Sequence, residues 1–253
     1  HIYWRVGRYN DAVKANIQAA TVDEEYIAAC NAQGFYPALY YPHNIHFLWA
    51  ASSMMGNSKL AIESARKVAA NVRLEMIEQF PTVEFFKTIP VLALTQFGRW
   101  DEILAEPLPP AKLQFSTAIH HYARGVALVR KDDLNAAKTE LEALQPLMDS
   151  DVIHTLDGSD YPASVLLSIA DELLKGEIAL ASGKNKQAID HFTSAVAQQD
   201  KLPYMEPPFW YYPTRQSLGQ ALVIAGEYVS AEQVYRKDLA AYPKNGWSMF
   251  GLI

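Results

Sequence analysis

Six short turns punctuate this chain, at Gly7, Gly56, Gly98, Asp132, Gly183 and Gly226. Each closes a helix-length apolar stretch, and five residues beyond each stands Ala12, Ala61, Ile103, Ala137, Ala188 or Ala231. Glycine, and less easily aspartate, accepts the left-handed backbone that ends a helix. A small or branched residue at a fixed distance past the turn then lets the next helix lie close to the last. Punctuation of this regularity predicts an all-α α-solenoid of stacked antiparallel helical hairpins, running as one domain over residues 1–253. The uneven spacing between turns adds extended helices and inserted loops to that expectation.

The unit around Gly226 is the fullest. Leu218, Ala221, Leu222 and Ala225 recur at helical spacing before the turn, and Gly219 leaves room where a neighbouring helix must come near. Tyr228 is expected to fill the crook, and Ala231, Val234, Tyr235 and Leu239 form one face of a second helix that stops before Pro243. This pattern resembles the tetratricopeptide repeat at Gly219, Gly226, Tyr228, Ala231, Tyr235 and Pro243. The resemblance extends to Gly176, Gly183, Ala188, Phe192 and Ala195, and to Gly125, Asp132, Leu134, Ala137, Leu141 and Leu144. The unit at Gly98 matches least, because Pro107, Pro109 and Pro110 cut its second helix short. The resemblance implies a right-handed, curved array whose use is to hold peptides or other proteins in a concave groove.

A narrower resemblance rests on the segments HIYWRVGRYNDA, residues 1–12, and YYPHNIHFL, residues 40–48. These are similar to segments in a group of bacterial tetratricopeptide proteins with no established reaction. That likeness implies further histidines upstream of residue 1 and, for many members, an export signal. A periplasmic or exported location is an expectation from this resemblance alone, and a cytoplasmic one stays open. Helices that begin and end abruptly at His1 and Ile253 read as part of a longer array.

Composition narrows the functional classes. Half of the 253 residues are hydrophobic, enough for a continuous core, and the net charge of −6 comes without any lysine or arginine run. Nucleic acid is therefore not an expected partner, and no stretch is long and apolar enough for membrane insertion. No phosphate-binding glycine loop, nucleophile elbow or metalloprotease helix motif occurs, so a noncatalytic scaffold is favoured over an enzyme. Cys30 is the single cysteine and reads as a buried thiol. The adjacent pair His120–His121 diverges on a helix, the acidic pairs Asp132–Asp133 and Asp171–Glu172 diverge on a helix or serve as caps, and His154 and His191 read as surface or packing residues.

In the tetratricopeptide repeat, residues thirteen, ten and six before the turn generally face the groove. Carried onto this chain, these offsets select Trp4, Thr88, Leu92, Tyr122, Val126, Glu177, Gln216 and Gln220 as groove lining, with Trp4, Tyr122, Glu177, Gln216 and Gln220 the candidate ligand-binding set. A mixture of amides, aromatics and one acid suits an extended peptide with apolar anchors, or a small aromatic or cationic ligand. The same offsets select His1, His43 and His46. No cofactor is required by any motif, yet three imidazoles converging on one ion would suit zinc, copper or iron, and packing on nearby aromatics is the alternative. Two tyrosine- and proline-rich insertions, GFYPALYYP at 34–42 and PYMEPPFWYYP at 203–213, either cap hairpin edges or form a ligand surface at the groove rim. The segment 149–161 reads as a mobile, aspartate-rich loop.

Overall fold

The computed structural model describes residues 1–31, 40–158 and 161–253. Among them the fold is all-α, with 76% helix and no strand. In order, α1 is Ile2–Arg5, α2 Tyr9–Cys30, α3 Tyr41–Met54, α4 Ser58–Asn71 and α5 Leu74–Gln79. A 3-10 segment, Pro81–Lys87, precedes α6, Ile89–Gln96, and α7, Trp100–Ala105. There follow α8, Gln114–Arg130, α9, Leu134–Met148, α10, Asp151–Asp157, α11, Ala163–Ala181, and α12, Asn185–Gln199. The last three are α13, Arg215–Ile224, α14, Tyr228–Ala241, and α15, Gly246–Gly251. Consecutive helices pack as neighbouring pairs, most extensively α11 with α12 and α8 with α9.

The turns share one local chemistry. Gly7, Gly56, Gly98, Asp132, Gly183 and Gly226 all have φ between +62° and +80°. In each, the N–H of the following residue reaches back to a carbonyl five positions earlier, as from Arg99 to Leu94 at 2.9 Å and from Glu227 to Leu222 at 2.8 Å. This satisfies a carbonyl that the helix end would leave unpaired. Beyond the turns, Ala61, Ile103, Ala137 and Ala188 are completely buried, and Ala12 and Ala231 almost so. Asp133 and Asn57 cap the helices they precede, accepting from the N–H of Ala136 at 3.0 Å and of Leu60 at 3.2 Å.

Packing across the pairs uses small residues. A Cβ at Gly176 would collide with the Phe192 ring, and one at Gly219 with the Tyr235 ring. The glycines thus let Phe192 bury completely, a contribution of about 1.5–3 kcal/mol for a side chain of this type. The largest cluster runs from Val91 on α6 to Tyr235 on α14; a second gathers around α3 and α4, and a third around Trp4, Tyr9 and Leu48.

Helices near the start of the sequence touch the segment around α14 and α15. Tyr9 Oη donates to the Pro243 carbonyl at 2.9 Å, Trp4 meets Tyr242 edge-on, and Trp247 Nε1 reaches the Ser53 carbonyl at 3.4 Å. Behind this contact, the fully buried Asn245 joins α14 to α15 by donating to Asp238 and accepting from the Ser248 N–H at 2.8 Å.

Three local expectations change. Residues 151–157 form a helix capped by Ser150, with Ile153 completely buried and Leu156 nearly so, because two apolar residues three apart outweigh the aspartates around them. Tyr228 is 67% exposed rather than seated in the crook of its turn. Cys30 is exposed, lying at the last turn of α2 beyond the packed part of that helix.

Candidate functional site

The insertion at 203–213 starts on the surface, where Tyr204 and Met205 are exposed, and its later part, from Pro207 to Pro213, packs into the helical framework. Gln199 holds its end, donating to the Tyr212 carbonyl at 3.0 Å and accepting from the Thr214 N–H at 2.7 Å and hydroxyl at 2.8 Å. Tyr212 Oη lies 2.7 Å from Ser217 Oγ. Trp210 is only 3% exposed and sits edge-on against Tyr122, while the Tyr211 hydroxyl lies 3.0 Å from that of Tyr122. Proline removes backbone donors that such a buried irregular segment would have to satisfy, and Pro207, Pro208 and Pro213 all lie in it. Of the other insertion, residues 34–39 lie outside the described residues. Its last part opens α3, where Tyr41 is buried and donates to Glu24 at 2.8 Å.

Two cavities flank this segment, and Tyr211 lines both. The larger, about 720 Å³, is bounded by α6, α8, α11 and α13 and collects Tyr122, Val126, Glu177, Gln216 and Gln220. Glu177 pairs with Arg130 at 2.8 Å. Burial raises the Glu177 carboxyl pKa, and the guanidinium of Arg130 opposes that rise. Gln96, also on its wall, has both side-chain polar atoms buried without a partner. Tyr122 is 2% exposed and belongs to the core as much as to the cavity.

The smaller cavity, about 470 Å³, is walled by His43, His46 and Trp49 from α3, by Phe85 and Phe86, by Thr88 and Leu92, and by Tyr161, Phe209 and Trp210. Ring after ring meets here: Phe85 stacks on Tyr161 with centroids 5.5 Å apart, and Tyr161 meets Phe209 edge-on at 5.7 Å. His46 lies parallel to Trp49 at 5.2 Å and edge-on to Phe85 and Phe86, both at 5.4 Å. Burial, reinforced by the nearby His43, pushes its pKa down to about 3, so its ring is neutral at ordinary pH.

At the rim of the smaller cavity, Nε2 of His1 and Nε2 of His43 are 3.2 Å apart, and His1 Nδ1 is 2.7 Å from the Glu206 carboxylate. Arg5 lies 3.3 Å from the other oxygen of Glu206, and Tyr204 donates to it. The three histidines selected from the sequence are therefore divided: His1 and His43 face each other, whereas His46 turns into the ring-lined wall. Among the described residues, no group of three or more histidine, cysteine or acidic side chains is arranged to hold one metal ion. Glu206, which orients His1, has no counterpart in the sequence offsets, because it comes from an insertion far along the chain.

The remaining candidates separate cleanly. Trp4 lines neither large cavity; it is 3% exposed, packed between Tyr9 and Tyr242. His121 binds Glu140 at 2.6 Å, while the adjacent His120 is buried with Nε2 unpartnered. Asp171 pairs with Lys175, and its neighbour Glu172 with His191 at 2.9 Å. Among the described residues, no helix is long and apolar enough to cross a membrane. No family model, curated protein or solved structure matches this chain.

Proposed function

We propose that this chain is a noncatalytic binding scaffold, a tetratricopeptide-like right-handed solenoid that holds an extended peptide of a partner protein in its larger cavity. The observation that supports this reading most is the gathering of Tyr122, Glu177, Gln216 and Gln220 around one space of about 720 Å³. Amide side chains from Gln96, Gln216 and Gln220 suit a peptide backbone, which offers donors and acceptors alternately. Trp100, Tyr235 and Trp247 on the same wall supply apolar contact for its side chains. The Arg130–Glu177 pair leaves the cavity close to neutral, which favours an uncharged stretch of peptide.

A library of random peptides displayed on phage, selected against the protein and measured by calorimetry, tests the reading. Gln216→Ala with Gln220→Ala should weaken the selected peptides about ten-fold, equivalent to about 1.4 kcal/mol, without loss of helix signal. Equal affinity in the double variant, or failure to select any peptide, overturns the assignment. Tyr122 is a poor test here because it is a core residue.

A second reading has one specific observation behind it. Ring nitrogens of His1 and His43 at 3.2 Å, with the far nitrogen of His1 held by Glu206, have the form of two metal ligands with a carboxylate orienting one of them. Zinc, copper or iron would suit imidazole donors. Zinc titration at neutral pH should give binding that His43→Ala abolishes; unchanged binding in that variant removes the reading.

A further inference from the structure

The smaller cavity has features that a peptide scaffold does not require. Its volume of about 470 Å³ lies within the range of about 300–1,000 Å³ typical of pockets that enclose a small molecule. Its lining is almost wholly aromatic and aliphatic. Apart from His43, Thr82, Thr88 and Glu206, the polar side chain in its lining is His46, which is 8% exposed and finds no hydrogen-bond partner among the described residues. On the same wall the indole Nε1 atoms of Trp49 and Trp210 are buried without a hydrogen-bond partner. An unpaired buried polar group costs about 1–3 kcal/mol, so polar atoms of this kind on a cavity wall are best explained by what the cavity receives.

The chemistry of that occupant follows from the charges nearby. His46 is neutral, offering one N–H donor and one nitrogen acceptor. Glu206 is the carboxylate on the wall, and His1, Arg5 and Tyr204 already engage it. Nothing unpaired is left there for a charged ligand to meet, and desolvating one would be costly. The rings of Trp49, Phe85, Phe86, Tyr161 and Phe209 favour offset or edge-on contact with another ring.

We propose that the smaller cavity is a binding site for a neutral, ring-bearing small molecule whose carbonyl or hydroxyl oxygen hydrogen-bonds to His46. The site is independent of the peptide cavity, and either assignment can fail alone.

Prodan, a neutral naphthyl ketone whose emission shifts to the blue in apolar surroundings, is the probe, and dimethylaminonaphthalene is its counterpart without the carbonyl. The whole chain should bind both, with Prodan blue-shifted. His46→Phe, which keeps a ring but removes both hydrogen-bonding atoms, should weaken Prodan about ten-fold and leave the counterpart within about two-fold. Leu92→Trp, which fills the cavity from α6, should abolish both. Gln216→Ala with Gln220→Ala should leave both unchanged, which separates this site from the peptide cavity. Nitrogen-15 shifts of the His46 imidazole should move when Prodan is added to the wild-type chain, a readout that needs no variant to fold. Absence of a blue shift in the wild-type chain overturns the site; equal Prodan binding by wild type and His46→Phe, or an unmoved His46 signal, overturns the role of His46.

Discussion

The two cavities are neighbours with opposite chemistry. The larger holds an ion pair, three glutamines and tyrosine hydroxyls; the smaller is a chamber of rings with the imidazole of His46 among them and that of His43 at its rim. Both are bounded by the same insertion, 203–213, and both touch Tyr211. One segment thus separates the two cavities, and it does so with aromatics that hydrogen-bond at their tips and pack along their faces. An insertion between helix pairs can partition an all-helical framework into compartments of different polarity.

Trp210→Ala should break the division most severely. The side chain is nearly completely buried against Tyr122, so its loss should cost about 3–5 kcal/mol of stability by chemical denaturation. A cost under about 1 kcal/mol would mean that the segment only overlies the framework, and the two cavities would then be one.

Next comes the pH response of the ring-lined side. His46 is held neutral in the folded chain with its pKa near 3, and burial is the main cause. In the unfolded chain the same ring takes up a proton near pH 6.5. The lowered value means that the unfolded state binds the extra proton, so stability falls as pH drops from about 6.5 toward about 3. Between pH 6.5 and pH 5 the loss should be about 2 kcal/mol, and His46→Phe should flatten that part of the profile. An identical slope in the variant would assign the acid sensitivity to other groups.

The smallest effect sharpens the partition itself. Tyr122→Phe removes the hydroxyl contact with Tyr211 and keeps both rings. Stability should fall by about 1 kcal/mol, and peptide and Prodan affinities should change by less than about three-fold. A larger change in either would show that the two hydroxyls serve the ligands rather than the wall.

Much of the local structure was legible because it depends on short-range chemistry. Gly7, Gly56, Gly98, Gly183 and Gly226 mark positions where only a residue without Cβ adopts positive φ freely, and Asp132 is among the residue types that tolerate it. Gly219 and Gly176 mark close approach in the same way. The helix at 151–157 was hidden because its aspartates suggest a turn, while the apolar pair Ile153 and Leu156 is too short a signal to outweigh them. Trp4 shows the limit of a fixed offset. Its position has the groove register, yet Tyr9 and Tyr242 enclose it.

What this sequence determined by itself is an all-helical chain with its turn positions and the small residues that let helices pair, because those follow from backbone sterics within a few residues. Tertiary structure alone decided that 207–213 packs into the interior, that Glu206 meets His1 from across the chain, and that His46 joins the rings while His43 stays at the rim. Each of these joins residues far apart in sequence, where the outcome depends on which surface can bury an aromatic segment and still satisfy its polar atoms. Helical periodicity carries no record of that choice.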